Sequence, residues 1–327
     1  MKTTRIRSFL CCGCALLLGA VLAALRINIL FTSFDPKTDL YPRGEATTLF
    51  ETLLLVFCVA SLLCGLLFLS KENPYKINFS GIAMTFSHSF LGLCFLGLAF
   101  ASFVTSKIRG VSLSRFDAVL VIFCLVCAVS FFMEAFGKEG QLGYDATTVL
   151  MLFRPVTCLF ISFYFYFDAS TVIHNSNKKL ATLFFAVVML TLLMTVKFRA
   201  AAPRVSTFVS LALLSIVCGV MYAVPNLAWF FAYGEGLVLS VFFDLLTVAL
   251  VIWCCVCVFS VVGTHPVGID SLVSSISSDE RDLGKTSEDR AEGRELSLMT
   301  GDEYAKMISE QVDVRELSEK TKNHSDD

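Results

Sequence analysis

The chain has 327 residues, 56% of them hydrophobic and only 17% charged, with a mean hydropathy of +0.73. A soluble globular domain carries about 25% charged residues, so this composition excludes a water-soluble fold and requires lipid as the solvent for its apolar surface. The formal net charge of -2 hides an asymmetry: from His265 onward there are 16 acidic and 8 basic residues, against 12 and 18 before it, so a basic membrane body precedes an acidic, hydrophilic tail.

The apolar runs predict an all-α, polytopic membrane helix bundle of about eight transmembrane helices in residues 1–263, followed by a polar, largely disordered tail in 264–327. The first run, 8–31, follows Lys2, Arg5 and Arg7. That pattern also fits a secretory signal peptide, but the run is long and no small-x-small cleavage site follows it. It therefore reads as an uncleaved first helix, with Arg26 inside it and able to snorkel to the interface. Segment 32–45 is a polar loop with turn signals at Asp35-Pro36 and Pro42-Arg43-Gly44. Within it, the stretch Asp35-Pro36-Lys37-Thr38-Asp39-Leu40-Tyr41, after an Arg-bearing first helix, resembles a loop found in uncharacterised multi-pass membrane proteins of anaerobic Gram-positive bacteria. The resemblance implies a bacterial cytoplasmic membrane and brings with it no activity and no site residue.

The second helix, 46–70, carries Glu51 in its first turns and the small pair Ser61 and Gly65, which suits close helix approach. A short polar turn spans 71–78. The third helix, 79–106, is longer than the roughly 20 residues needed to cross, so it must tilt, kink or protrude; it holds His88 between Ser87 and Ser89. The fourth, 115–136, has Glu134 near its end. The fifth, 147–167, carries Arg154 followed by Pro155 well inside the apolar run. A permanent charge beside a helix breaker is expensive in hydrocarbon and marks a partnered or functional position. A polar loop with His174 and the Lys178-Lys179 pair leads to a charge-free sixth helix, 180–196. The seventh, 205–224, contains the small pair Ser215 and Gly219, and the aromatic segment 225–235 reads as an interfacial turn. The eighth, 236–263, holds Asp244. In the tail, 271–294 is rich in Ser and charge and reads as disordered. Thr300-x-x-Glu303 is a capping-box pattern that suggests a short helix over 301–320.

Lys and Arg in short loops set orientation. Nine lie on the side of the N-terminus and seven on the other, close to a tie. The basic N-terminus and the absence of Lys or Arg before the last helix favour both termini in the cytoplasm, while the Lys107 to Arg115 loop argues against it. All 13 Cys fall inside apolar runs, which argues against an extracellular disulfide framework. Cys11-Cys12-x-Cys14 and Cys254-Cys255-x-Cys257 share a spacing and lie towards the expected cytoplasmic ends of the first and last helices. Palmitoylation or a thiolate metal site is one reading; buried Cys acting as small hydrophobes is the simpler one.

Six ionisable residues lie in the apolar runs and are the candidates for a polar path or ligand site: Arg154, Asp244, His88, Arg26, Glu51 and Glu134. Each unpaired charge at a helix centre costs about 2.5–3.5 kcal/mol on insertion scales, so pairing is expected. Glu134 and Arg154 should meet towards the N-terminal side, with Arg154 about 10 Å deep at about 1.5 Å per residue. Arg26, Glu51 and Asp244 should meet near the other side. His88 reads as a structural hydrogen-bonding group or a proton relay. No zinc-protease, nucleophile-elbow or phosphate-loop motif is present, so no cofactor or metal is expected, and the acidic tail gives no footing for nucleic acid. The leading functional reading is a non-enzymatic membrane protein that binds or moves a small molecule or ion through a polar site in the bundle. The alternative is a membrane-anchored sensor or scaffold whose tail recruits a cytoplasmic protein, and the third is an intramembrane enzyme using His88.

Overall fold

The computed structural model describes residues 2–33, 44–65, 75–77, 81–108, 114–136, 144–167, 176–200, 205–234 and 238–263. Eight helices account for nearly all of them: α1 (Lys2–Ser33), α2 (Glu45–Cys64), α3 (Ile82–Ile108), α4 (Arg115–Phe136), α5 (Tyr144–Phe167), α6 (Ser176–Ala200), α7 (Val205–Tyr233) and α8 (Val238–Phe259). All eight are long and apolar enough to cross a membrane, and the protein is an integral, multi-pass membrane protein with an all-α architecture. The expected loop at 34–43, the end of the second helix at 66–70 and the tail helix at 301–320 lie outside the described residues.

Local chemistry starts the helices where the sequence changes character. At α2, the Gly44 amide donates to Thr47 Oγ1 at 2.9 Å. At α4, Ser114 Oγ accepts the Asp117 amide at 3.1 Å and donates to its carboxylate at 2.7 Å, which satisfies end groups that no intrahelical carbonyl can reach. Asp117 also accepts from the Tyr164 hydroxyl at 3.1 Å, fixing the end of α5 to the start of α4.

The helices α3, α4, α5, α6, α7 and α8 pack each against the next, and α8 packs against α3, closing a ring of six. Helices α1 and α2 lie outside that ring against α7. Position explains burial: 72% of the apolar window of α7 is buried, because it has neighbours on both flanks, against 11% for α2. The lipid-facing side of α2 is aliphatic, with Leu49, Leu55 and Leu63 at least half exposed, as a hydrocarbon solvent demands. The ring has no open lumen where its aromatics meet. Phe165 of α5 touches Phe243 of α8, on the opposite side, with centroids 4.8 Å apart, and also packs on Phe185 and Tyr222.

Small residues set the closest approaches. A Cβ on Gly219 would lie 2.3 Å from Val251 Cγ2 and 2.8 Å from Phe184 Cε2. Gly65 is backed by Ser210 and the Ser206 carbonyl, and both serines donate hydrogen bonds to carbonyls at the end of α2. Without a hydrophobic drive between helices in lipid, such contacts hold the bundle. Gly219→Ala is therefore expected to cost about 1–3 kcal/mol of stability by forcing α7 from α8 and α6. Gly13→Ala, where nothing lies within 4 Å of the added methyl, should be neutral or slightly stabilising; thermal unfolding of the two variants in detergent checks the contrast.

Several boundaries differ from the sequence reading. Segment 225–233 is not a turn: α7 continues unbroken through Pro225 to Tyr233, and Trp229, edge-on, and Tyr233, tilted, pack against Phe31 of α1 with centroids 5.4 and 5.6 Å away. The eighth helix stops at Phe259, and Val261–Gly263 pairs antiparallel with Tyr75–Ile77 as a short two-stranded ribbon, β1 (Tyr75–Ile77) with β2 (Val261–Gly263), where a turn and a helix end are expected. Helices α5 and α6 start at Tyr144 and Ser176, three and four residues before the expected positions, which places Lys178 and Lys179 in the first turns of α6 instead of a loop; the apolar span of α5 begins at Thr148, so Arg154 lies about 9 Å inside it at about 1.5 Å per residue.

Candidate functional site

The six candidate residues divide into two groups. The first joins α3, α4 and α5. Arg154 is 1% exposed, and each of its three guanidinium nitrogens donates a hydrogen bond. Its Nε donates to Ser130 Oγ at 2.8 Å and its Nη2 to the Ser130 carbonyl at 2.7 Å, while Nη1 donates to the Glu134 carboxylate. The Phe131 ring lies beneath it, 4.0 Å from Cζ to the centroid, a cation–π contact. The same carboxylate oxygen faces His88 Nε2 at 3.9 Å. Glu134 thus stands between an imidazole and a guanidinium, and Ser130 and Glu134, one turn apart on α4, both face Arg154. This is a fully partnered buried charge, shaped to fix three helices together.

The second group joins α1, α6, α7 and α8. Arg26 is 3% exposed. Its Nη1 donates to the Met221 carbonyl at 2.9 Å and the Tyr222 carbonyl at 3.3 Å; its Nη2 donates to Asn177 Oδ1 at 2.6 Å and Asn226 Oδ1 at 3.3 Å. Asn226 in turn donates to Asp244 Oδ1 at 3.1 Å. Arg26 and Asp244 are thus bridged by an amide. The reason for this placement is Pro225. A helical residue donates its N–H to the carbonyl four positions back, and proline has none to give, so the Met221 carbonyl loses its usual partner. Arg26 supplies the missing donor, which is how α7 continues through a proline inside the membrane.

The two groups are at different depths. Gly97 of α3 packs on Phe242 of α8, which fixes the register of those helices. Counted from there, His88 and Asp244 are separated by about 10 Å along the bundle axis at about 1.5 Å per residue. The structure therefore brings Arg154, Glu134 and His88 together, brings Arg26 and Asp244 together through Asn226, and keeps the two sets apart.

Glu51 stands differently from the other five. It is exposed and does not meet Asp244; it lines a cleft between α1, α2 and α6 whose floor includes Arg26 and whose rim includes Lys179. The cleft has a volume of about 230 Å³. Ile29, Phe50, Leu54, Leu180 and Leu183 make its walls. Among the described residues neither Glu51 nor Lys179 forms an ion pair. Such a cleft, mostly apolar with a few convergent charges, is the form ligand sites take.

Sequence reasoning missed the residues that complete both groups: Ser130, Asn177, Asn226 and the role of Lys179. Only the pairing of Pro225 with an arginine at the same depth could have signalled the second group. The thirteen cysteines are all free. Cys12 of α1 and Cys255 of α8, from the two similarly spaced clusters, have adjacent thiols, but among the described residues no group of three or more His, Cys, Asp or Glu could hold a metal ion. No protein-family model matches the chain, and neither a curated protein nor a solved structure shows significant similarity to it.

Proposed function

We propose that this membrane protein binds a small charged solute at the Arg26 end of the bundle, in the cleft between α1, α2 and α6. The observation that carries the reading is the convergence there of Arg26, Lys179 and Glu51 on an apolar-walled cavity. Binding from the side is favoured over a path along the bundle axis, because Phe165, Phe185 and Phe243 fill the ring at the depth of Asp244. In this reading Arg154, Glu134 and His88 serve as a fixed anchor for the helices that bear the site, and Asp244 holds Arg26 in register through Asn226. With both termini in the cytoplasm, as the basic N-terminus favours, the cleft opens towards the outer face of a cell membrane.

The test is a melting-temperature shift of the purified, detergent-solubilised chain with phosphoethanolamine, a soluble molecule carrying one charge of each sign. At about ten times its dissociation constant a ligand adds about 1.4 kcal/mol of stability, so a shift of a few degrees is expected for the wild type and its loss in Lys179→Glu and Glu51→Lys. Both substituted positions are exposed, so the fold tolerates the changes. No shift up to the millimolar range, or an equal shift in both variants, overturns the reading.

A further inference from the structure

We propose that the occupant of this cleft is a membrane phospholipid of the phosphatidylethanolamine class, which enters sideways from the bilayer. The inference rests on the solute-binding reading and narrows it to an amphiphile.

The first ground is position. Most of the lining lies towards helix ends on the same side of the bundle, with Leu54 reaching the middle of α2: Arg26 and Ile29 in the last turns of α1, Thr47 to Glu51 in the first turns of α2, and Lys179 to Leu183 in the first turns of α6. That depth is where headgroups give way to acyl chains. The second ground is the opening. Leu183 in the wall is 40% exposed, and α2, which forms one side, packs mainly on α1 and α7. The cleft therefore faces the hydrocarbon sideways as well as the interface. A fully polar headgroup alone leaves this aliphatic wall unmatched, whereas an amphiphile already in the bilayer lays its chain along the wall while its headgroup meets the rim.

The third ground is charge. Arg26 has its Nη hydrogens committed to two carbonyls and two amide oxygens, and Asp244 stands beyond Asn226 as its countercharge. What remains at the rim is one ammonium, Lys179, and one carboxylate, Glu51, which form no ion pair with each other. A phosphodiester beside Lys179, with a primary ammonium beside Glu51, satisfies both. A choline headgroup has no N–H to donate to Glu51, and a phosphatidylglycerol headgroup brings no cation to it.

Native mass spectrometry of the full chain in detergent, titrated separately with dioleoyl phosphatidylethanolamine, phosphatidylcholine and phosphatidylglycerol and with soluble phosphoethanolamine, tests this. We expect phosphatidylethanolamine to bind about fivefold tighter than the other two lipids, a preference of the size that exposed ion pairs confer. Because the lipid shares the micelle with the protein, its effective concentration at the cleft is raised, and its apparent affinity should be at least about tenfold tighter than that of the soluble headgroup. Lys179→Glu and Glu51→Lys should each abolish the preference among lipids. Phosphoethanolamine binding as tightly as the lipid would leave solute binding standing and overturn the lipid assignment. Equal binding of all three lipids, a preference for phosphatidylglycerol or phosphatidylcholine, or a preference unchanged in both variants overturns it as well. Failure of every probe to bind removes both readings.

Discussion

Glu134→Leu is expected to destabilise the protein by about 3–5 kcal/mol, the loss typical when one partner of a buried ion pair is removed. The substitution leaves Arg154, 1% exposed and ten residues inside α5, without the carboxylate that neutralises it. Arg154→Leu should fall in the same range, because it strands Glu134 and leaves the Ser130 carbonyl without its guanidinium donor. The double variant Glu134→Leu/Arg154→Leu should recover most of the loss, ending within about 1–2 kcal/mol of the wild type, since lipid-like side chains then fill an apolar surrounding with no charge left to solvate. Equilibrium unfolding in mixed micelles reads all three. If the two single losses simply add in the double variant, Arg154 and Glu134 are not energetically coupled and the anchor role assigned to them is wrong.

The same pair shows what a single sequence can and cannot reveal. The existence and order of eight spans follow from apolar runs bounded by charge, and Arg115–Phe136 and the start of Val205–Tyr233 are readable to the residue. That Arg154 needs a carboxylate follows from the cost of a bare charge in hydrocarbon, and Glu134 is the acid at a suitable depth on the preceding helix. What is not legible is rotation about each helix axis. Whether His88 of α3 turns towards α4 or towards lipid depends on which faces pack, and the α3–α4 contact that brings it 3.9 Å from Glu134 is a tertiary fact. For the same reason Glu51 could be assigned to the right end of the bundle but not to the cleft rim rather than the interior. The closure of six helices into a ring, with α1 returning to α7 instead of to its chain neighbours alone, also leaves no periodic trace in the sequence.

Pro225 is the instructive misreading. Taken alone, a proline after twenty apolar residues and before four aromatics signals a helix end and an interfacial turn. In water that inference is sound, because a freed carbonyl would simply hydrate. In a membrane the freed Met221 carbonyl must find a protein donor, and Arg26, from a helix some 200 residues earlier, supplies it. The local rule is overridden by a long-range hydrogen bond that a charge in α1 makes available. Seen this way, the arginine that looks like a snorkeller in the first helix and the proline that looks like a terminator in the seventh explain each other.

That mutual dependence gives the second large effect. Arg26→Leu removes four hydrogen bonds at once and leaves Asp244 buried behind Asn226 with no cation beyond it. A stranded buried acceptor costs about 1–3 kcal/mol and an uncompensated charge more, so a loss of about 3–5 kcal/mol is expected. Pro225→Ala on its own should be nearly neutral: it returns an N–H for the Met221 carbonyl, which already has a donor. Combined with Arg26→Leu, however, it should recover about 1 kcal/mol, because the restored helical bond now meets an otherwise empty carbonyl. Adding Asp244→Asn as a third change should recover more, by removing the stranded charge. The order matters: the benefit of Pro225→Ala appears only when Arg26 is absent. A double-mutant cycle in mixed micelles measures that coupling directly, and an equal effect of Pro225→Ala with and without Arg26 means that α7 passes its proline by some other means than the guanidinium of α1.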